Sequence, residues 1–205
     1  MFDLQLSQRL SDRLAGQLPG RSAQRHYSHE LSYGRHFGPR RLNARQAAVL
    51  VLLRWDGAQW MVPLTKRQSG GVHSGQICFA GGGIDPGEGV VEAALRECRE
   101  ETGWAPTKND VLGQLSPIYV YASNNSVSCV VAATKHRPIW NPDKREVAEL
   151  LEVPLQHLCT DNTGHETIVK KHGLSTTAKC FRWKSYDIWG ATSMIISELK
   201  TVIIS

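Results

Sequence analysis

The sequence predicts an α/β fold in which a mixed β-sheet packs between helices. Strand-like segments alternate along the chain with only a few helical ones, which is typical of a sheet covered by helices. The unbroken apolar run Ala47–Leu53 indicates a buried strand, and Val90–Thr102, which lacks Gly and Pro, indicates a helix. The 205 residues and an apolar fraction of 41% suit one domain with a sizeable core, with or without extensions.

The first part of the chain, residues 1–44, is predicted to be a short helix followed by a basic extension. Leucines recur at helical spacing as far as Leu18, and Pro19-Gly20 ends the pattern. Residues 20–44 are polar and rich in Gly and His, so we expect them to be irregular. Their arginines form either a solvated arm or contacts to substrate phosphates. The compact domain is predicted to span residues 45–205.

The domain is predicted to open with a β-hairpin. Asp56-Gly57 is a turn dipeptide, and Gln59–Lys66 has the pattern of the returning strand. A Gly-rich segment, residues 70–89, leads into the helix Val90–Thr102, and Gly103 stands where a C-terminal cap belongs. The apolar stripe of this helix consists of Val91, Ala94, Leu95 and Cys98.

The segments after this helix are predicted to complete the sheet and to cover it. The strands expected there are Val111–Tyr121, Ser126–Ala133, Glu146–Val153, Thr167–Lys170 and Cys180–Tyr186, with a turn at residues 141–143. A short helix is expected over Pro154–Cys159. The last helix is expected over Ile188–Ile203, with Trp189, Met194, Ile195 and Leu199 on its inner side.

The composition argues against several classes of protein. The five cysteines are scattered without CxxC spacing, which disfavours a structural zinc site and a disulfide framework, and we interpret them as reduced, mostly buried thiols. No apolar stretch is long enough to cross a bilayer and the N-terminus is not of signal-peptide type, so we expect a cytoplasmic protein without membrane contact. The charge of +5 is compatible with a polyanionic substrate. The absence of aromatic residues interleaved with cations argues against nucleic acid, and the oligomeric state is left open, with a homodimer as one alternative.

Three glutamates share one face of the predicted helix, at spacings of three and four residues: Glu97, Glu100 and Glu101. Because like charges repel, this face is either a solvated surface relieved by Arg96 and Arg99 or the site of a cation. The Gly81-Gly82-Gly83 run just upstream lets the backbone approach a ligand closely. Carboxylate and carbonyl oxygens are the ligands that Mg²⁺ prefers. Together the loop and the helix predict a cradle for a metal-bound diphosphate.

The same residues match the signature of a known family. Gly82, Glu88 and the run Arg96–Trp104 hold the Gly, Glu and Arg positions of the Nudix box at the required spacing. The sequence therefore resembles the Nudix hydrolases, and the order of elements extends the resemblance to about residues 45–203. This resemblance implies the Nudix fold, an α/β/α sandwich around a mixed β-sheet. It also implies hydrolysis of a nucleoside diphosphate linked to another moiety.

By position, the resemblance implies a role for each residue of the box. The ligands of Mg²⁺ or Mn²⁺ would be Glu97, Glu100, Glu101 and the carbonyl of Gly81. Glu97 would also be a candidate base for water, and Arg96 would orient the glutamates through charge-assisted hydrogen bonds. Glu88 would support the loop or help to hold metal. An acid outside the box is often needed, and our first candidate is Glu146 and our second Glu149, with ordinary surface acids as the alternative.

The segment upstream of the box resembles the coenzyme A pyrophosphatase branch of the family. The matching residues are Leu64-Thr65, Arg67, His73, Gly75-Gln76, Phe79 and Gly81-Gly82. The segment departs from the branch in three ways: it is one residue short between Arg67 and Gly75, it lacks the second arginine near Gly71 or Val72, and Ala80 replaces a proline. The branch implies that coenzyme A or a derivative is split into 3′,5′-ADP and a phosphopantetheine.

The resemblance assigns substrate binding to Lys66, Arg67, His73 and Gly82. Since an arginine fork is a strong phosphate ligand, either Lys66 or an N-terminal arginine replaces the missing one, or the substrate differs. A structural ion pair or hydrogen bond beneath the loop is the alternative for Arg67 and His73. ADP-ribose, another nucleotide sugar or a dinucleotide are alternative substrates. A non-catalytic nucleotide-binding module is disfavoured, because such modules usually lose the glutamates that are present here.

Overall fold

The computed structural model describes residues 2–28, 39–70, 74–160, 164–171 and 174–205. Within these ranges the helices are α1 (Leu6–Leu14), α2 (Arg21–Gln24), α3 (Val90–Thr102), α4 (Leu155–Thr160) and α5 (Ala191–Ile204). The strands are β1 (Arg45–Trp55), β2 (Trp60–Arg67), β3 (Ile77–Cys78), β4 (Gly81–Gly83), β5 (Val111–Val120), β6 (Asn125–Thr134), β7 (Val147–Pro154), β8 (Glu166–Lys171), β9 (Leu174–Trp183) and β10 (Tyr186–Trp189). Strands β1 to β7 form one sheet, and β8 to β10 form a second, antiparallel one.

The centre of the larger sheet is the parallel pair of β1 and β6. The two strands stay in register from Arg45 opposite Asn125 to Arg54 opposite Thr134. Strand β5 pairs with the outer edge of β6 in the antiparallel sense, so the sheet is mixed. Seven of the eleven residues of β1 are buried, including five in a row from Leu50 to Arg54, as expected for a strand covered on both faces.

Two strands share the other edge of β1, and a gap opens between them beside α3. The end of β1 pairs with β2, where Trp55 lies opposite Trp60, while its first half pairs with β4, where Ala48 lies opposite Gly82. Beyond its short contact with β1, β2 pairs with β3 on one side and β7 on the other. Strand β2 therefore diverges from β1 where β4 begins, and the glycine strand β4 lines the gap.

Helices cover both faces of this sheet. On one face α3 packs through Ala93 and Ala94 against Ala48, and all three are fully buried. Small side chains at this contact let the helix backbone lie close to the strand. The other face carries a larger core to which α1, α4 and α5 contribute apolar side chains. The predicted α/β/α sandwich around a mixed sheet is thus confirmed.

The chain before β1 is more ordered than we expected. Leu6, Leu10 and Leu14 of α1 are buried in the larger core, as their spacing predicts. The expectation of an irregular segment after residue 20 is wrong for Arg21–Tyr27, which forms α2 and a turn of 3-10 helix. The reason is a tertiary contact, because the buried carboxylate of Glu198 accepts hydrogen bonds from this segment. The boundary between residues 44 and 45 stays a prediction.

Two expectations near the C-terminus are also wrong. The segment Cys180–Tyr186 is not one strand: β9 ends at Trp183, and Lys184, with φ of 53°, turns the chain into β10. The last helix begins at Ala191 rather than Ile188, so Trp189 lies in β10 and not on the inner side of the helix. Met194, Ile195 and Leu199 are buried as expected.

The other predicted elements lie close to their expected positions, whereas β3 and β4 are short strands within the Gly-rich segment, for which no strand was expected. The helix Val90–Thr102 has the expected bounds, and Gly103 after it has the left-handed φ of 77°. The hairpin of β1 and β2 and the strands β5 to β7 lie within a few residues of their expected positions. Cys78 is half-buried and the other four cysteines are buried, as expected for thiols that pack as small hydrophobic side chains. Across the described residues, no helix combines the length and the apolar character needed to span a membrane.

Candidate active site

The three glutamates of α3 lie at different depths between the core and the solvent. The side chain of Glu101 is 4% exposed, that of Glu97 16% and that of Glu100 59%. The order follows from the rotation of the helix, which carries its polar face from the edge of β4 outward. The acidic face is therefore not a uniformly solvated surface, since one carboxylate is buried.

Arg96 joins the loop before α3 to its carboxylates. The guanidinium donates to both oxygens of Glu88 at 2.8 and 2.9 Å and to the carbonyl of Gly83 at 2.9 Å. It also donates to Glu97 at 2.8 Å and to Glu100 at 3.1 Å. These hydrogen bonds raise the pKa of Arg96 and lower the pKa of Glu88. Such charge-assisted bonds fix the orientation of the carboxylates.

Gly82 lies directly against Glu97. A Cβ at residue 82 would stand 2.5 Å from the carboxylate carbon and oxygens of Glu97, so no other residue fits without moving that group. Gly83 has open space at the same position. Burial raises the pKa of Glu97, while the hydrogen bond from Arg96 acts in the opposite direction. A half-buried carboxylate with a raised pKa is a stronger base than an ordinary glutamate, which suits it to accepting a proton.

Glu101 is a buried carboxylate with too few partners. Burial raises its pKa to about 7, and the charge of Arg67 and a hydrogen bond from the backbone N–H of Gly81 oppose this. The Nη1 atom of Arg67 lies 3.8 Å from Oε1, which is an ion pair but longer than a hydrogen bond. Among the described atoms, the buried Oε2 has no hydrogen-bond partner. A group of this kind costs free energy unless a further positive charge reaches it.

A turn after β6 docks on the end of α3 and brings another acid to the site. The N–H of Asn141 donates to the carbonyl of Thr102 at 2.9 Å, and the N–H of Asp143 donates to that of Glu101 at 3.0 Å. These bonds satisfy carbonyls that the helix end leaves unpaired. At the other end of the turn, the carbonyl of Glu146 accepts from the N–H of Gln68 at 2.8 Å.

The two acids expected outside the box are placed differently by this turn. The charge of Glu146 raises the pKa of both Glu97 and Glu101, so it lies close to them. Glu149 instead accepts hydrogen bonds from the hydroxyl of Tyr186, at 2.7 Å to one carboxylate oxygen and 2.6 Å to the other. The first candidate is thus beside the carboxylates, and the second is held at β10.

The predicted substrate-binding residues do not all meet at one place. Arg67 and Gly82 reach the carboxylates, but the ammonium of Lys66 lies 5.4 Å from the ring centre of Tyr186, with Glu149 opposite it in the sheet. His73 lies outside the described residues, as do Gly71 and Val72, where the missing arginine would fall.

Two residues to which the sequence assigned no role lie beside Arg67: Thr65, which matches the branch signature, and Cys78. The hydroxyl of Thr65 lies 3.4 Å from Sγ of Cys78, and the charges of Arg67 and Glu101 both act on this thiol. Burial is the main reason that the pKa of Cys78 is raised. The pairing of β2 with β3, which sets Thr65 opposite Cys78, brings the two together, and no local signal in the sequence indicates it.

The donor chemistry of the site fits a hard divalent cation. Within the described residues, no three His, Cys, Asp or Glu side chains converge on one metal-sized position. The reason is that Arg96 draws Glu88, Glu97 and Glu100 onto its own guanidinium. The orphaned oxygen of Glu101 is the observation that calls for a cation, and carboxylates are the ligands that Mg²⁺ prefers.

Sequence comparison relates the chain to one family. The family model described as the NUDIX domain matches residues 44–172, which is more than half of the chain. An uncharacterized Nudix hydrolase named NudL from Enterobacter sp. (strain 638) is 33% identical over 161 residues, covering 77% of this chain and 82% of that protein. The protein of the same name from Citrobacter koseri is 31% identical over 160 residues, with the same coverage.

Solved structures show the same fold. A MutT/nudix family protein from Enterococcus faecalis is similar with a TM-score of 0.58 and 17% identity, covering 85% of this chain and 68% of the other. A MutT protein from Methanosarcina mazei Go1 has a TM-score of 0.51 and 17% identity, covering 77% and 92%. At these identities the likeness concerns the architecture alone.

Proposed function

The chain belongs to the Nudix family of hydrolases, which act on pyrophosphate bonds of phosphorus-containing compounds, and we propose that its substrate is coenzyme A or a derivative. Cleavage of the diphosphate would give 3′,5′-ADP and a phosphopantetheine. Members of the family generally use a divalent metal such as Mg²⁺. We assign that metal to Glu97, Glu100, Glu101 and the carbonyl of Gly81, with Glu88 supporting the loop through Arg96.

The observation that carries this proposal is the contact between Arg67 and Glu101. Arg67 belongs to the segment that resembles the coenzyme A branch, and Glu101 belongs to the box. Their side chains lie 3.8 Å apart, so both stretches contribute to one site. The hairpin loop that starts at Arg67 therefore borders the place where the diphosphate would lie.

In the proposed reaction, water attacks one phosphorus of the diphosphate as the bridging P–O bond breaks. A divalent ion would neutralise the diphosphate oxygens and make water easier to deprotonate. Glu97 accepts the proton of the attacking water, because it is half-buried beside Gly82 and held in place by Arg96. Glu146 is the acid that supplements the box, since its charge acts on Glu97 and Glu101.

The cationic side of the site recognises the substrate phosphates. Arg67 offers a planar fork of donors that suits phosphate oxygens, and its side chain is 41% exposed. The missing side chain of Gly82 makes room for the carboxylate of Glu97, so its part in the proposed set is to let that group lie against β4. Lys66 is already partnered by Tyr186, which favours an N-terminal arginine as the replacement for the missing one. His73 is kept in the proposed set on the resemblance to the coenzyme A branch alone.

The test is to incubate the protein with Mg²⁺ and coenzyme A and to separate the products by chromatography. The expected product is 3′,5′-ADP in equal amount with phosphopantetheine, and Glu97→Gln should abolish its formation. ADP-ribose, NADH and diadenosine polyphosphates are assayed in parallel. If one of these compounds is cleaved and coenzyme A yields no 3′,5′-ADP, the assignment of the substrate is wrong, while the chain is still a hydrolase.

The same panel tests the alternative of a nucleotide-binding module. That alternative requires that the wild-type protein cleaves none of the diphosphates while it still binds one of them. Glu100→Gln would then bind the same ligand as tightly as the wild type. The presence of all three glutamates in the box supports the hydrolase instead.

A further inference from the structure

The ion pair between Arg67 and Glu101 leaves each of the two side chains able to bind a further charged group. On the acid, Oε2 is buried and, among the described atoms, has no hydrogen-bond partner. Oε1 faces Nη1 of Arg67 at 3.8 Å, beyond hydrogen-bond length. A carboxylate buried to this degree gains most from a cation that can approach closely. The pair therefore compensates the buried charge in part, and a small ion would do so better.

The backbone of Arg67 is fixed, so its side chain is the part that can move. Its N–H donates to the carbonyl of Gln76 at 3.0 Å, and its carbonyl accepts from the N–H of Gly75 at 3.1 Å. The side chain is 41% exposed, whereas its partner Glu101 is 4% exposed. A guanidinium with this exposure can turn toward the solvent side of the gap while the strand stays in place.

Arg96 shows what a fixed arginine looks like in the same site. It donates to Glu88, Glu97 and Glu100 at distances of 2.8 to 3.1 Å. An arginine with so many charge-assisted bonds is not free to change partners. The two arginines of the site therefore differ. Arg96 is held by hydrogen bonds to three carboxylates, whereas Arg67 reaches Glu101 only at ion-pair distance.

We propose that Arg67 changes partners during binding: it neutralises Glu101 before a divalent ion arrives and transfers to a phosphate oxygen of the substrate afterwards. The proposal rests on the proposed function only in requiring a diphosphate and a divalent ion at α3. An ion that takes over Glu101 releases Arg67, and the released guanidinium meets the incoming phosphate. Ion and diphosphate then favour each other's binding, as linkage requires.

The exchange is tested without catalysis, with α,β-methylene-ADP as the probe, because its bridging carbon resists hydrolysis. Calorimetry in EDTA measures binding to the wild type, Glu101→Gln, Arg67→Gln and the double variant. Glu101→Gln releases Arg67 without any ion, so it should tighten ion-free binding roughly five- to tenfold. The gain should vanish when Arg67→Gln is added. Glu92→Gln is the control, since it removes the same charge from an exposed position of the same helix, where its partner is Lys108, and should change binding less than about twofold.

A second measurement covers the case in which Glu101→Gln folds poorly. At saturating Mn²⁺, Arg67→Gln should weaken binding of the probe about tenfold, while in EDTA it should change binding less than about twofold. An equal effect of Arg67→Gln with and without Mn²⁺, or a gain in Glu101→Gln that survives without Arg67, overturns the exchange. The probe is not a derivative of coenzyme A, so failure to cleave coenzyme A would leave this result unaffected. If coenzyme A is cleaved but the four proteins show none of the expected differences in binding, the exchange is wrong and the proposed function stands.

Discussion

Gly82 and Glu97 are in such close contact that the glycine and the carboxylate form one unit of the site. A Cβ on residue 82 would stand 2.5 Å from the carboxylate of Glu97, although the two residues belong to a strand and a helix. The pairing of β4 with β1 fixes the strand, and the packing of α3 on Ala48 fixes the helix. The fold therefore places the helix against the strand, and the hydrogen bond from Arg96 holds the carboxylate of Glu97 at residue 82.

Gly82→Ala should abolish most activity without unfolding the protein. The added methyl group meets the flexible end of a side chain, so Glu97 can move aside, but it then leaves its place beside Arg96. We expect kcat to fall at least about a hundredfold, because small displacements of reacting groups are costly. Gly83→Ala is the matched control, since nothing lies within 4 Å of a Cβ there. Equal activity of the two variants in a steady-state assay would contradict the assigned contact.

Glu146→Gln and Glu149→Gln should separate the two acids outside the box. The charge of Glu146 acts on Glu97 and Glu101, whereas Glu149 is bound by Tyr186. We expect Glu146→Gln to lower kcat about tenfold to a hundredfold, as is typical of groups that support metal ligands. Glu149→Gln should retain most of the activity. The measurement is kcat against Mg²⁺ concentration, and a larger loss in the Glu149 variant would reverse the assignment.

The parts of the fold that follow local rules could be predicted from the sequence. The helix Val90–Thr102 combines helix formers with a glycine cap, so its bounds depend on nearby residues alone. The strand β1 is an apolar run bounded by a turn dipeptide. The box identified Glu97 and Arg96 because their spacing along a helix is itself the signature.

The parts that depend on distant contacts could not be predicted. Helix α2 forms where the N–H of Gly20, just before the helix, and the side-chain amide of Gln24 donate to the buried Glu198, far along the chain. Lys184 turns the chain in a left-handed conformation, although the sequence has no glycine at this position to indicate it. Likewise the contact of Arg67 with Glu101 depends on how far β2 diverges from β1, which is a property of strand pairing.

The stability of the metal-free protein should fall as the pH rises through the range in which Glu101 ionises. Burial raises the pKa of Glu101 to about 7 in the folded protein, from an ordinary value of 4.5. The folded state therefore binds this proton more tightly than the unfolded state, so the stabilisation is complete below about pH 4.5 and is lost as the pH passes about 7. The free energy at stake is on the order of 3 kcal/mol.

Urea unfolding in EDTA at several pH values between 4.5 and 8 measures this dependence. Glu101→Gln cannot ionise, so its stability should change less over the range than that of the wild type. The difference between the two proteins isolates Glu101 from Glu97, whose pKa is also raised by burial. A difference that stays constant across the range would show that the buried carboxylate is already compensated.

Glu198→Gln should loosen the segment before β1 and destabilise the whole protein. The buried carboxylate accepts from the N–H of Gly20 at 3.1 Å, from the side chain of Gln24 at 2.8 Å and from the N–H of Ser116 at 3.2 Å. The amide can keep its carbonyl as the acceptor for Gly20 and Ser116, but it then turns an NH₂ group toward the Nε2 donor of Gln24, which should cost on the order of 2–3 kcal/mol. Urea unfolding measures the loss, and trypsin cleavage at Arg21 and Arg25 should become faster. Asp3→Asn is the control, because it removes an exposed charge from the same part of the chain and should leave both measurements nearly unchanged. If Glu198→Gln behaved like this control, the hydrogen bonds to Glu198 would not be what holds the segment in place.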